Sequence, residues 1–256
     1  MVDNFDKIRE YMERQLPDWK EGDCYYIQLL RRSSDDPMIN GQKDPKYHGN
    51  MHSRSIKDYF VKSIDHLNVL EDEIKLLCKT FNVRAYIRLN KRNYKQIAMH
   101  MLKHVADQAA SGDSFSSPYR VVSSAAGLSN CAGKNRTWLL DIDKEYVEHE
   151  QEIIDMILEC EPYKSKIDET VELWCGLRDE VDALEINDWK KVVATKAVAT
   201  NMIKSEFFIL PTKSGKHVVC KPFNIQQFTD MWNNSSMKNV KMFDIHRDNP
   251  TVLFVP

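Results

Sequence analysis

The run Thr137-Trp-Leu-Leu-Asp-Ile-Asp143 is apolar enough to be a buried strand, yet it ends on two carboxylates. Side chains alternate along a strand, so Asp141 and Asp143, two residues apart, project from the same face. Two carboxylates a few ångströms apart repel each other unless a divalent cation neutralises them. Mg²⁺ typically takes one or two protein carboxylates together with phosphate oxygens. Any fold of this chain must therefore cover the body of the strand and leave its acidic end open to solvent or to a cation.

The rest of the 256 residues can supply that cover: 42% are hydrophobic, 29% are charged, and there are only 8 Gly and 9 Pro. This is the profile of a helix-rich globular chain, long enough for one large domain or for a core with a smaller attachment. With 36 basic against 38 acidic residues the formal charge is -2, which excludes a protein that coats nucleic acid by charge alone. A polyanion would have to meet a local patch. Clusters at Arg84 to Arg92, Lys134-Asn-Arg136 and Lys213 to Lys221 are candidates, and each is equally readable as a solvated face. The six cysteines lie far apart with no Cys-x-x-Cys pair, so neither a zinc ribbon nor a redox dithiol is written locally; reduced, mostly buried thiols are expected. The N-terminus is polar and acidic and no apolar run approaches bilayer length, which predicts a cytoplasmic protein without membrane association.

Apolar spacing predicts an entry helix over residues 3 to 16 through Phe5, Ile8, Tyr11, Met12 and Leu16, ended by Pro17. Strands follow at Cys24 to Leu30, Asp58 to Val61 and Val83 to Asn90, and helices at about 64 to 80 and 94 to 110. The polar stretch from Arg31 to Arg54 reads as a long mobile loop, and the Ser, Gly, Ala and Asn-rich stretch from Ala109 to Arg136 as a loop or lid. Beyond the acidic strand come a helix over Val147 to Leu158 and helical sequence from Lys166 to Ser205, with a joint near Asn187-Asp188. Phe207 to Pro211 and His217 to Phe223 read as two strands, and Asn224 as the cap of a helix running to about Trp232. Val240 to Asp244 and Thr251 to Val255 read as two further strands.

Two further segments carry chemistry. Thr212-Lys213-Ser214-Gly215-Lys216-His217 brings hydroxyls, a glycine, two cations and an imidazole together, a combination suited to a phosphate chain. It is not a P-loop, because it lacks that motif's upstream glycine and the Ser/Thr after Gly-Lys. Asp244 ends a hydrophobic run and is followed by His246, Arg247 and Asp248, a metal ligand followed by a basic turn or simply a polar connection.

In this order, an Asp-x-Asp strand, a Ser-Gly-x-His hairpin and a hydrophobic-Asp strand resemble the three motifs of the archaeo-eukaryotic primase superfamily. Met242 to Pro256 looks like the third-motif segment of its primase-polymerase branch, and Phe208 to Val219 like the second. The resemblance is specific over about 137–145 and 207–256 and only loose over the first 130 residues. It implies an α+β fold: an RNA-recognition-motif-like catalytic core of antiparallel or mixed sheet with flanking helices, an N-terminal α/β portion and a helical insertion at about 145–205, all in one catalytic domain. It implies that Asp141, Asp143 and Asp244 hold Mg²⁺ or Mn²⁺ and that His217, in a motif shared with Ser214, contacts the phosphates of the incoming nucleotide.

The expected activity is then template-dependent nucleotidyl transfer by a two-metal route, with nucleoside triphosphates and a single-stranded template or primer-template as partners. His217, Lys216 and Lys213 would offset triphosphate charge, and Lys221 or Arg247 would touch template or triphosphate. Trp138, Tyr86 and Phe223 are the aromatics available for base stacking or for the core. Lacking zinc-stem cysteines and a helicase domain, the chain looks like a catalytic core that works with a helicase or other replication proteins, or one turned to another use. A metal-dependent nuclease built on the same carboxylates, and a non-catalytic nucleic-acid-binding accessory protein, are the competing readings. A small-molecule enzyme using the Cys and His residues is a more distant one.

Overall fold

The computed structural model describes residues 1–32, 38–39, 42–43, 54–112, 118–128, 131, 136–175, 186–248 and 250–256. Its elements begin with β1 (Val2–Asp3), α1 (Phe5–Arg14), β2 (Asp23–Arg31), β3 (Met38–Ile39), β4 (Gln42–Lys43) and β5 (Arg54–Val61). Next come α2 (Ile64–Phe81), β6 (Arg84–Ile87), β7 (Arg92–Asn93), α3 (Tyr94–Ser111), α4 (Pro118–Gly127) and β8 (Trp138–Asp143). The chain continues with α5 (Glu150–Leu158), α6 (Tyr163–Cys175), α7 (Ile186–Lys204), β9 (Phe208–Pro211) and β10 (Gly215–Cys220). It ends with α8 (Ile225–Asn234), β11 (Ile245–His246) and β12 (Thr251–Val255). The class is α+β. Two compact units form, one from Met1–Leu139, Leu210–Lys213 and His246–Pro256, the other from Leu140–Ile209 and Ser214–Ile245.

The first unit is built on an antiparallel sheet of order β1-β12-β6-β2-β5, with β7 also paired to β2. β2 is buried through its centre, from Cys24 to Ile27, because helices cover both faces. Successive side chains of β2 show this directly. Tyr25 packs edge-on against Tyr11 of α1 at 6.4 Å, whereas Tyr26 packs on Phe60 at 5.5 Å and on Ile97, Ala125, Ala126 and Cys131. In α1, Phe5, Ile8, Tyr11 and Met12 are buried as their spacing predicts. Leu16 is exposed instead, because Pro17 draws Leu16–Asp18 into a 3₁₀ turn that leaves the helical face. α2 and α3 begin where Ser63 and Asn93 accept the backbone N–H of His66 and Gln96.

The expected loop over Ala109 to Arg136 contains α4. Val121, Ala125 and Ala126 of that helix are buried, small side chains that let it lie close beneath Tyr26. Most of the predicted loop from Arg31 to Arg54 lies outside the described residues, as does Lys134, but β3 and β4 pair antiparallel within it.

A polar network closes one end of this unit. Asn90 accepts from the backbone N–H and hydroxyl of Thr137 (2.7 and 3.1 Å). It donates to the Thr137 carbonyl at 3.1 Å and to Asp248 at 3.0 Å. The fully buried Arg92 takes the other oxygen of Asp248 at 2.5 Å. Burial, then the positive charge of Arg92, lowers the pKa of Arg88, whose guanidinium donates to the Asp248 carbonyl. Arg88 and Arg92 of the Arg84 to Arg92 cluster are therefore tied into the fold.

The second unit carries most of a four-stranded sheet of order β11-β8-β10-β9, with α5 to α8 around it. Residues 145–205 are helical as expected, in detail a 3₁₀ segment Lys144–His149 followed by α5, α6 and α7. Asn187 and Asp188 fall inside the first turn of α7 and not at a joint; the connection lies at 176–185, outside the described residues. Val240 to Asp244 forms no strand either, and β11 starts only at Ile245. The reason is local packing: Phe243 is held by Trp232 at 5.5 Å, Tyr146 at 5.8 Å and Phe228 at 6.0 Å, and the Trp232 indole donates to the Val240 carbonyl. Nor does the last strand join this sheet, since β12 pairs with β1 and β6 of the first.

Candidate functional site

Leu140 and Ile142 turn one face of β8 into the core, so Asp141 and Asp143 emerge on the other, beyond the buried Leu139, half-buried and exposed respectively. Across the sheet, the backbone N–H of Asp141 donates to the carbonyl of Asp244 at 3.1 Å. Pairing of β8 with the segment ending at Asp244 thus brings together residues about a hundred positions apart. Asp141, Asp143 and Asp244 line one open cavity of about 110 Å³ with Glu145, Tyr146, Lys241, Met242 and Phe243.

On the other side of β8, β10 brings His217. Its Nε2 lies 3.3 Å from Asp141 Oδ1, and the imidazole is nearly buried while the carboxylate stays partly exposed. The approach of the two strands depends on Gly215: a Cβ there would stand 2.1 Å from the Ile142 carbonyl oxygen and 2.9 Å from Asp143 Cα. The exposed Ser214 hydroxyl donates to Asp143 Oδ1 at 3.1 Å. The Ser-Gly-x-His pattern therefore has a physical reading within the second unit. The serine fixes one carboxylate, the glycine admits the neighbouring backbone, and the histidine meets the other carboxylate.

Most of the basic residues of these segments have partners of their own. The Lys216 ammonium, itself partly exposed, is paired with Glu150. Lys213 is exposed on the connection between β9 and β10. Arg247 belongs to the first unit, where its guanidinium sits over the Trp138 ring at 5.7 Å. Lys221 pairs with Glu206 at 3.5 Å. Of the aromatics considered for base stacking, Tyr86 is buried against Val252 and Val255, and Phe223 is buried against Phe228; both are core.

Sequence reasoning missed Glu145 and Tyr146. Glu145 extends the alternation of Asp141 and Asp143 by two more residues and was legible on that ground; Tyr146 carries no such signal. The Tyr146 phenol is raised above its usual pKa, first by burial, then by Glu145 as hydrogen-bond partner and negative charge, then by the charges of Asp143 and Asp244. The cavity is thus a region of negative potential. Its oxygen-only donor set suits hard cations such as Mg²⁺ or Mn²⁺. Yet among the described residues no three His, Cys, Asp or Glu side chains stand together as a ready metal cluster. Uncompensated carboxylates repel, and a cation would have to draw these three inward.

No family model matches the chain, and comparisons with curated proteins and with solved structures find no match. Among the described residues no helix is long and apolar enough to cross a membrane.

Proposed function

We propose that this chain is a template-dependent nucleotidyl transferase of the primase-polymerase type, working in the cytoplasm on nucleoside triphosphates and a single-stranded template or primer-template. The observation that carries the reading is the shared cavity of Asp141, Asp143 and Asp244, which are remote in sequence and arrive in the order of that superfamily's motifs. In this role the three carboxylates hold paired Mg²⁺ or Mn²⁺. Such ions, when bound, activate a 3′-hydroxyl and neutralise the triphosphate and departing pyrophosphate. Ser214 keeps Asp143 oriented, and His217 is shared between Asp141 and the phosphates. Lys213 is the lysine of this hairpin available to the triphosphate, since Lys216 is engaged with Glu150. Arg247 keeps a secondary role toward nucleotide or template. A helicase or other replication proteins would supply the context.

A labelled primer-template incubated with nucleotides and Mg²⁺ or Mn²⁺ tests the proposal. Strand lengthening that disappears in Asp143→Ala supports it. Metal-dependent shortening would assign the same carboxylates to a nuclease, and binding without turnover would make the chain a replication accessory.

A further inference from the structure

Asp244 is placed by a segment that has no strand of its own. From Lys241 to Asp244 the backbone is irregular, and its last carbonyl accepts from the Asp141 N–H. Something else must hold the other end. Tyr146, buried to 4% exposure in the wall of the acidic cavity, makes two contacts there. Its hydroxyl donates to the carbonyl of Lys241, three residues before Asp244, and its ring meets Phe243, the residue just before Asp244, edge-on at 5.8 Å. Phe243 is held from behind by Phe228 and Trp232, so its ring fills a pocket of three aromatics while Asp244 faces outward.

We infer that Tyr146 is the positioning residue for Asp244: its hydroxyl on the Lys241 carbonyl and its ring on Phe243 fix the segment that presents this carboxylate beside Asp141. This deepens the reading proposed above by naming what sets the third acidic side chain, and it makes no use of metal or nucleotide. The division of labour is clear from the chemistry. Ring packing is non-directional and could be met by several rotations of the segment, whereas the hydrogen bond to one carbonyl selects one of them. The contact also explains a tyrosine in an otherwise apolar cluster, where phenylalanine would pack equally well.

Amide hydrogen exchange by NMR, read without metal or nucleotide, tests the inference separately from the activity. In Tyr146→Phe the Asp141 amide, which reports its bond to Asp244, is expected to exchange about three- to tenfold faster, the scale of one lost hydrogen bond. The Phe228 amide in α8, bonded to Asn224, should keep its rate. Tyr163→Phe serves as the control, because that buried hydroxyl accepts from the Lys221 N–H at 2.7 Å and does not touch the segment. An Asp141 amide unchanged in Tyr146→Phe overturns the inference. Equal acceleration at Phe228, or the same acceleration in Tyr163→Phe, overturns it as well, since Tyr146 would then be a core residue only. If exchange behaves as expected while no strand extension is found, the positioning role stands and the proposed reaction does not.

Discussion

His217 Nε2 and Asp141 Oδ1 lie 3.3 Å apart, joining the two strands on which the proposed chemistry rests. The histidine expected to face phosphates thus also has a carboxylate partner, one that a cation in the cavity would compete for. The consequences concern charge first.

Asp143→Ala should leave the melting temperature without metal unchanged or slightly raised, because one member of a crowded acidic set is gone. Nucleotide incorporation should be lost altogether. Differential scanning fluorimetry with and without Mn²⁺ adds a second measurement: wild type should be stabilised by the ion and the variant much less so. A variant retaining full extension activity would remove Asp143 from the site.

Gly215→Ala should destabilise by about 2–3 kcal/mol, because the new methyl meets backbone, the Ile142 carbonyl oxygen at 2.1 Å, and not the far end of a flexible side chain. Urea denaturation measures the loss. Since the strand being pushed is the one carrying Asp141 and Asp143, activity should fall even at temperatures where the variant stays folded. A wild-type midpoint would mean that β8 and β10 do not approach this closely.

Asp58 gives a pH dependence. Burial raises its carboxyl above the ordinary value even though Tyr26 and Ser55 donate to it at 2.8 and 3.0 Å. A carboxyl whose pKa is raised in the fold favours folding while protonated. Its contribution is therefore greatest below the unfolded carboxylate pKa and is lost as pH rises through the folded one. Asp58→Asn keeps an acceptor for both hydroxyls and cannot ionise. Its stability relative to wild type, from urea titrations at several pH values, should improve as pH rises from below the carboxylate range to neutrality; a decline over that interval would contradict this account.

The thiols should sort by burial. Cys24, Cys78 and Cys160 are each pushed by burial to about 12, and Cys131 and Cys220 are also raised, whereas Cys175 is only partly buried. Because the thiolate is the nucleophile, iodoacetamide at pH 8 should modify native protein at Cys175 well before the other five, which react after unfolding. Peptide mass spectrometry reads the order, and early labelling of Cys24 or Cys78 would show that the first unit opens readily.

Much of this was legible in the sequence, and the exceptions have identifiable causes. Apolar periodicity marked α1, α2 and α3, Asn224 marked the start of α8, and the apolar body of β8 announced both a covered strand and its acidic end. α4 escaped notice because its buried residues include two alanines amid serines. Their value comes from fitting beneath Tyr26, a long-range contact with no local signature. Val240 to Asp244 alternates like a strand, yet three aromatics claim Phe243 and override that tendency. Lys216 looked available for phosphate because nothing near it in sequence foretells Glu150, sixty-six positions earlier. The spacing Asp141, Asp143, Glu145 was visible, whereas the role of Tyr146 depends on Lys241 and Phe243 and could only be seen in three dimensions.

β12 is flanked by β1 on one side and β6 on the other, and among the described residues β1 has no other neighbour in its sheet. During synthesis, β1 can therefore be paired only after residues 251–255 have been made. Until then the β6 edge of that sheet stays open to other chains and to chaperones.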